Sequence, residues 1–277
     1  WEQVKIDPMD KGFLVGDCVY DAGRTFDGKS YRMKDHIDRL YRSLKFIRLD
    51  PRLTPEEMTD ITEEALQRNE HLRAEVGDHS FRQWVTRGPG RWTRDAGPPT
   101  VIVRVWPMGF NQYAHLYETG VHGVIARTRS YVTGTVEPKL KHQSRLNFSM
   151  ADLEVNDVDP LAWPIITDMD GNITEGTQYN VALVTNGVIR TPTDHSILQG
   201  VSQVAVRELA ERLDIPCVEE DLQPYDLYTA DEVLFLASSM CVMPVTKVDF
   251  RQVGDGKPGP ITQQLLAAWS EAVGVDV

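Results

Sequence analysis

Four basic side chains crowd into "EPKLKHQSRLNFSMADLE", residues 137–154, of a chain whose formal net charge is −12. They are Lys139, Lys141, His142 and Arg145. A lysine amine attacks a carbonyl only when unprotonated, and nearby cations or desolvation push it toward that state. Two residues apart on an extended segment, Lys139 and Lys141 project to one face, where Arg145 and His142 would depress either pKa. The stretch therefore offers a lysine able to form a Schiff base. The residues alone do not choose between the two lysines, and most lysines are simply solvated.

Three other stretches carry chemistry-bearing patterns. In "LQGVSQVAVRELAERL", Gly200 ends a loop and the amides of Val201 and Ser202 open a helix. Free N–H groups at the positive end of a helix dipole bind anions such as phosphate; the plainer reading is that Ser202 caps the helix. In "DMDGNITEGTQYN", Asp168, Asp170 and Glu175 invite calcium. An EF-hand loop needs an oxygen ligand at its fifth position before glycine at the sixth, whereas here glycine stands fourth. The aspartates read as a solvated turn and no metal is expected, while Glu175 can point inward from the far strand. The loop "TRGPGRWTRDAGPP" presents Arg87, Arg91 and Arg94 among glycines and prolines. An arginine can hold a carboxylate through two hydrogen bonds, and a loop can carry it into a cleft; a solvated basic loop is the alternative.

These residues need elements to position them. The pattern predicts a strand over Val19–Phe26 ended by an Asp27-Gly28 turn. A helix follows Asp35, with Ile37, Leu40, Tyr41, Leu44 and Ile47 at helical spacing. Thr54-Pro55-Glu56-Glu57 has the form of a capping box and opens a helix with Met58, Ile61 and Ala65 on one face. Strands are expected at Phe81–Thr86 and Val101–Trp106, flanking the loop Gly88–Pro99. The pattern weakens near Met108–Thr119. A strand at Val121–Thr128 follows, then a helix from Leu146 through Met150 and Leu153. Trp163–Thr167, Tyr179–Val184 and Val188–Arg190 read as strands, the last two joined by a type I′ turn at Asn186-Gly187. A helix over Val201–Leu213, a strand at Glu232–Leu236 and a helix over Ile261–Val273 complete the series. Interleaved strands and helices with short hairpins predict an α+β fold. It divides into a smaller N-terminal α/β domain (1–110), a connection (111–120) and a larger C-terminal domain (121–277) carrying the candidate lysines.

With 277 residues, 41% hydrophobic and 25% charged, the composition is that of a soluble globular protein. No apolar run is long enough to span a membrane. The opening WEQVKIDPMD lacks a charged region followed by an apolar one, so no secretory signal is read. Cys18, Cys217 and Cys241 are widely separated and match no zinc spacing, which favours a reducing, cytoplasmic compartment. A pI near 5 argues against nucleic acid or an anionic membrane as partner and points to a small molecule.

Taken in order, "DHIDRL", the lysine before "SRLNFSMADLE", "DGNITEGTQYN", "ILQGVS" and "ADEVLFLASSMCVMPV" resemble the class IV (fold type IV) aminotransferases, from about Gly12 to Trp269. That family includes branched-chain and D-amino-acid aminotransferases, (R)-amine transaminases and aminodeoxychorismate lyase. The resemblance implies their two-domain fold, a homodimer, and pyridoxal 5′-phosphate held as a Schiff base. It selects Lys141, with Ala151 and Glu154 at the expected later positions. It assigns the cofactor's phosphate to Arg39, although helical periodicity alone places Arg39 opposite the apolar stripe and exposed. Glu175 corresponds to the partner of the pyridine nitrogen, Val201 and Ser202 to the phosphate cup, and Ser238 and Ser239 to a hydroxyl-bearing turn. Tyr20 and the Arg91 and Arg94 loop would serve the substrate, Arg91 ahead of Arg94. Branched-chain enzymes carry a tyrosine five residues past the lysine, where this chain has Leu146. The early strand "VYDAGRTFDG" meets the (R)-amine and branched-chain signatures only in part, so the subgroup stays open; the leading expectation is a transaminase passing an amino group from a D-amino acid or (R)-amine to a 2-keto acid such as pyruvate. The alternatives are a branched-chain L-amino-acid transaminase, a pyruvate-eliminating lyase and a non-catalytic phosphate-binding relative.

Overall fold

The computed structural model describes residues 5–95, 97–132 and 134–277; the first four residues of the opening segment, residue 96 of the arginine loop and residue 133 lie outside it. The chain divides into two units, one running to Gly109 and taking in Leu140–Arg145, the other formed by Phe110–Lys139 and Leu146–Val277. The sequence reading puts the lysine segment in the C-terminal body, whereas the structure packs Leu140–Arg145 with the first unit. The reason is backbone pairing. Tyr20 N–H donates to the Lys141 carbonyl and Gln143 N–H to the Cys18 carbonyl, both at 2.9 Å, and Val19 bridges to His142.

The first unit is built from β1 (Cys18–Phe26), α1 (Met33–Phe46), α2 (Pro55–Asn69), β2 (His79–Thr86) and β3 (Thr100–Pro107). Its antiparallel sheet runs Lys29–Ser30, β1, β2, β3. Strand alternation sorts the two faces. Val19, Phe81 and Val85, with Val101, Val103 and Val105, pack on Ile37, Leu40 and Leu44 of α1 and on Met58 and Leu66 of α2. The other face carries Tyr20 opposite Trp84, and Arg82 opposite Arg104. The Thr54–Glu57 capping box is present, but the buried face of α2 is Met58, Thr62 and Leu66, and Ile61 is exposed. Thr62 is tolerated inside because its hydroxyl donates to the Met58 carbonyl and accepts from Gln83 Nε2.

The second unit contains β4 (Val121–Arg129), α3 (Leu146–Val158), β5 (Trp163–Thr167), β6 (Asn180–Thr185), β7 (Val188–Thr191), α4 (Val201–Arg212), β8 (Cys217–Glu219), β9 (Glu232–Ala237), β10 (Cys241–Val248) and α5 (Pro260–Val273). The sheet order is β5-β4-β10-β9-β6-β7-β8, with Arg251–Gln252 paired to β10. Parallel pairs join β5 to β4, β4 to β10 and β7 to β8; the rest are antiparallel. Asn186 and Gly187 both have positive φ, 51° and 77°, as a type I′ hairpin requires.

Two sequence expectations differ here. On α3 the buried residues are Phe148, Ala151 and Val155, which pack on Val124, Ala126 and Ile166. Leu146, Met150 and Leu153 instead stand 76%, 48% and 62% exposed. The strand β10 went unread because Pro244 interrupts its pattern. Pro244 pairs with Leu234 of β9, while β4 joins on the other side only from Val245 onward. The α+β class itself is as expected.

Candidate active site

In the first unit, Lys141 is half-buried and its Nζ lies 4.9 Å from the Tyr20 ring centre. Its backbone is held from two sides, by the Tyr20 amide and by the Ser43 hydroxyl, which accepts from Lys141 N–H at 3.4 Å. The turn at 138–140 removes the extended geometry that would have aligned Lys139 with Lys141, and Lys139 is exposed, 4.0 Å from Glu137. His142 does not add a cation at neutral pH. Burial, then the charges of Arg145 and Lys141, lowers its pKa from 6.5 to about 4.

Arg39 is 5% exposed, so the periodicity reading of an exposed arginine is wrong. Its Nε and Nη2 donate to the two oxygens of Asp21, each at 2.8 Å, and His36 Nδ1 lies 2.7 Å from the same carboxylate. Burial alone would push the Asp21 carboxyl up; the Arg39 charge and the hydrogen bonds from Arg39 and His36 outweigh it and hold the group well below the usual range. Burial lowers His36, as do the Arg39 and Lys141 charges, against the pull of Asp21. The ring is therefore neutral and donates through Nδ1.

Sequence reasoning missed Arg82. Its guanidinium lies 5.0, 5.2 and 5.6 Å from the ring centres of Tyr20, Trp84 and Trp106. Burial lowers its pKa, and its buried Nε has no hydrogen-bond partner among the described residues. The one signal available was an arginine two residues before Trp84, on the same face of an otherwise apolar-rich strand. Of the loop arginines, Arg87 is tied to Asp17 and to the Ile47 and Arg48 carbonyls. Arg91 and Arg94 are exposed, with Arg91 5.5 Å over the Trp92 ring.

In the second unit, Glu175 is buried and bridges to Asn180. The loop between them is tight. Gly176 N–H donates to the Tyr179 carbonyl at 2.8 Å, and a Cβ on Gly176 would sit 1.9 Å from the Tyr179 ring. Asn180 Nδ2 donates to the Leu198 carbonyl, and its Oδ1 fills the space of a Cβ on Gly200. The Glu175 loop and the start of α4 are thereby locked together. Gly200 caps α4 without a side-chain hydrogen bond, so Ser202 lies inside the helix and is not its cap. Val201 and Ser202 are buried, and the Ser202 and Ser238 hydroxyls lie 3.4 Å apart. Ser238 and Ser239 form the half-buried turn between β9 and β10. Gln203, also unread in the sequence, is buried in the first turn with no partner for Nε2 among the described residues.

The amino-transferase class IV family model matches residues 18–248. The chain is 35% identical over 270 residues to a putative branched-chain-amino-acid aminotransferase of Methanocaldococcus jannaschii, covering 95% of this chain and 90% of that protein. It is 31% identical over 273 residues to a D-alanine aminotransferase of Staphylococcus haemolyticus, covering 98% and 93%. Among solved structures, a Thermoproteus uzoniensis branched-chain aminotransferase with norvaline superposes with TM-score 0.85 at 26% identity, over 99% of this chain and 91% of that one. A branched-chain amino acid aminotransferase from Escherichia coli gives 0.84 at 24%, over 100% and 90%. The chain belongs to the class IV amino-transferases and is a transaminase by that membership.

The buried His142 makes stability depend on pH. Its folded-state value of about 4 lies below the ordinary 6.5, so the unfolded chain takes up the proton first. Its contribution is full above pH 6.5 and is lost as pH falls toward 4. His142→Asn should flatten that decline by up to about 1.4 kcal/mol per pH unit, read from denaturant unfolding across the window. An unchanged slope would show that His142 does not titrate this way.

Proposed function

We propose that the protein exchanges an amino group between a branched-chain L-amino acid and a 2-keto acid, with pyridoxal 5′-phosphate as cofactor. The observation that carries the branched-chain reading is the 35% identity to the archaeal relative over 95% of the chain. A D-amino acid or (R)-amine donor is the second reading, supported by the 31% identity to D-alanine aminotransferase and by Leu146 in place of a tyrosine.

Bound pyridoxal 5′-phosphate supplies an aldehyde that accepts the amino group and an electron-withdrawing ring that acidifies the Cα proton. Lys141 holds the cofactor and serves as the base that moves that proton. Glu175 keeps the ring nitrogen protonated. In the first unit Arg39 is the candidate for the phosphate, and in the second unit the candidates are the amides of Val201 and Ser202 and the hydroxyls of Ser202, Ser238 and Ser239. The residues fit such a group: a buried arginine, a helix start without a side-chain cap and the buried Gln203 donor all suit an anion. A homodimer belongs to the same reading and would give the exposed Leu146, Met150 and Leu153 a surface to cover.

For the substrate carboxylate, Arg82 beside Tyr20 is the candidate the geometry favours, because the Nε of its desolvated guanidinium has no partner among the described residues. Arg91 and Arg94 are the loop candidates.

Donor choice is tested with L-leucine, L-valine, D-alanine and both enantiomers of 1-phenylethylamine against 2-oxoglutarate and pyruvate. The branched-chain L-amino acids should lead in kcat/KM; a lead for D-alanine or the (R)-amine selects the second reading instead.

The carboxylate assignment is tested by single substitutions. Arg82→Gln should raise the keto-acid KM about 10- to 100-fold, the loss of a charge-assisted contact, while Arg91→Ala and Arg94→Ala do less. The reverse ranking would return the role to the loop.

A further inference from the structure

We infer that Asp21 is a positioning residue that orients the Arg39 guanidinium toward a phosphate, with His36 locking the carboxylate in place. This rests on the reading above that Arg39 receives the cofactor's phosphate.

Arg39 meets Asp21 side-on, Nε to Oδ2 and Nη2 to Oδ1, both at 2.8 Å. That edge of the guanidinium is committed, and the two parallel bonds let Asp21 set the plane of the whole group. Oδ1 also accepts from His36 Nδ1 at 2.7 Å and from Ala22 N–H at 2.8 Å. An ionised carboxylate only accepts, so His36 must donate through Nδ1. His36 and Arg39 are one turn apart on α1 and grip the carboxylate from successive positions. Asp21 and His36 are fully buried, which denies the arginine any water-filled alternative.

The next residue along β1 adds a second constraint. Tyr20 N–H holds the Lys141 carbonyl at 2.9 Å. Adjacent residues of one strand thus fix the backbone of the lysine and the side chain of the arginine, and so the spacing between the cofactor's two attachment points.

The test compares dissociation constants of the cofactor-free protein for pyridoxal 5′-phosphate and for pyridoxal, which lacks the phosphate. Asp21→Asn keeps the shape and removes the charge; Asp21→Glu keeps the charge and displaces it. Both should cut the preference for the phosphorylated form by about tenfold or more, the scale of one well-oriented charged contact, as Arg39→Ala does. His36→Leu should lose part of the preference and His36→Asn, whose amide can donate where Nδ1 does, should restore it. A parental or raised preference in Asp21→Asn, alongside a loss in Arg39→Ala, overturns the inference and leaves the phosphate role of Arg39 standing. A parental preference in Arg39→Ala overturns that role itself. Thermal melting of each variant reports folding. Should the Asp21 variants not fold, the His36 pair decides: a parental preference in His36→Leu is then the contradicting result.

Discussion

The ion pair between Asp21 and Arg39 is the interaction on which the first unit turns. Taking a carboxylate and a guanidinium out of water costs several kcal/mol each, and only near-ideal geometry with every lone pair engaged repays it. Here both carboxylate oxygens accept from Arg39, and Oδ1 also accepts from His36 and Ala22. That demand fixes the rotation of α1 against β1. The same rotation sends Ile37, Leu40 and Leu44 into the core and brings Ser43 to the Lys141 amide. One helix orientation therefore serves the core, the arginine and the lysine backbone together.

The second unit solves a different problem, holding a carboxylate and a helix start in fixed register. It does so by excluded volume. Tyr179 occupies the space beside Gly176, and Asn180 occupies the space beside Gly200. Any side chain at either glycine would have to displace an aromatic ring or a hydrogen-bonded amide. Tyr179 is itself anchored, its hydroxyl donating to the Pro164 carbonyl at 2.8 Å and its ring stacked on Phe235. Glu175 thus inherits its position from the core of the large sheet.

Local chemistry was the legible part of the fold. Thr54 and Glu57 form the capping box, and Asn186-Gly187 the tight hairpin, because both depend on backbone preferences only a few residues wide. Tertiary effects were not legible. Arg39 lies off the apolar stripe of its helix and is buried only because Asp21, distant in sequence, supplies the counter-charge. Leu146, Met150 and Leu153 keep helical spacing yet stay exposed, since the smaller Ala151 lets α3 approach the sheet on its other side. Pro244 hid a strand that tolerates it because its neighbour on one side starts a residue later. Among site residues, Lys141 was separable from Lys139 only by family likeness, while the weak strand signal at Arg82 and the position of Gln203 gained meaning once burial showed donors without partners among the described residues.

The account centres on Lys141 as the residue that carries the cofactor. The most direct measurement is borohydride reduction of the pyridoxal 5′-phosphate-loaded protein, followed by peptide mapping of the pyridoxyl label. The label should fall on Lys141, in the peptide containing "KHQSR", and reduction should abolish turnover. A label on Lys139, or full reduction of the bound cofactor with Lys141 unmodified, would contradict it.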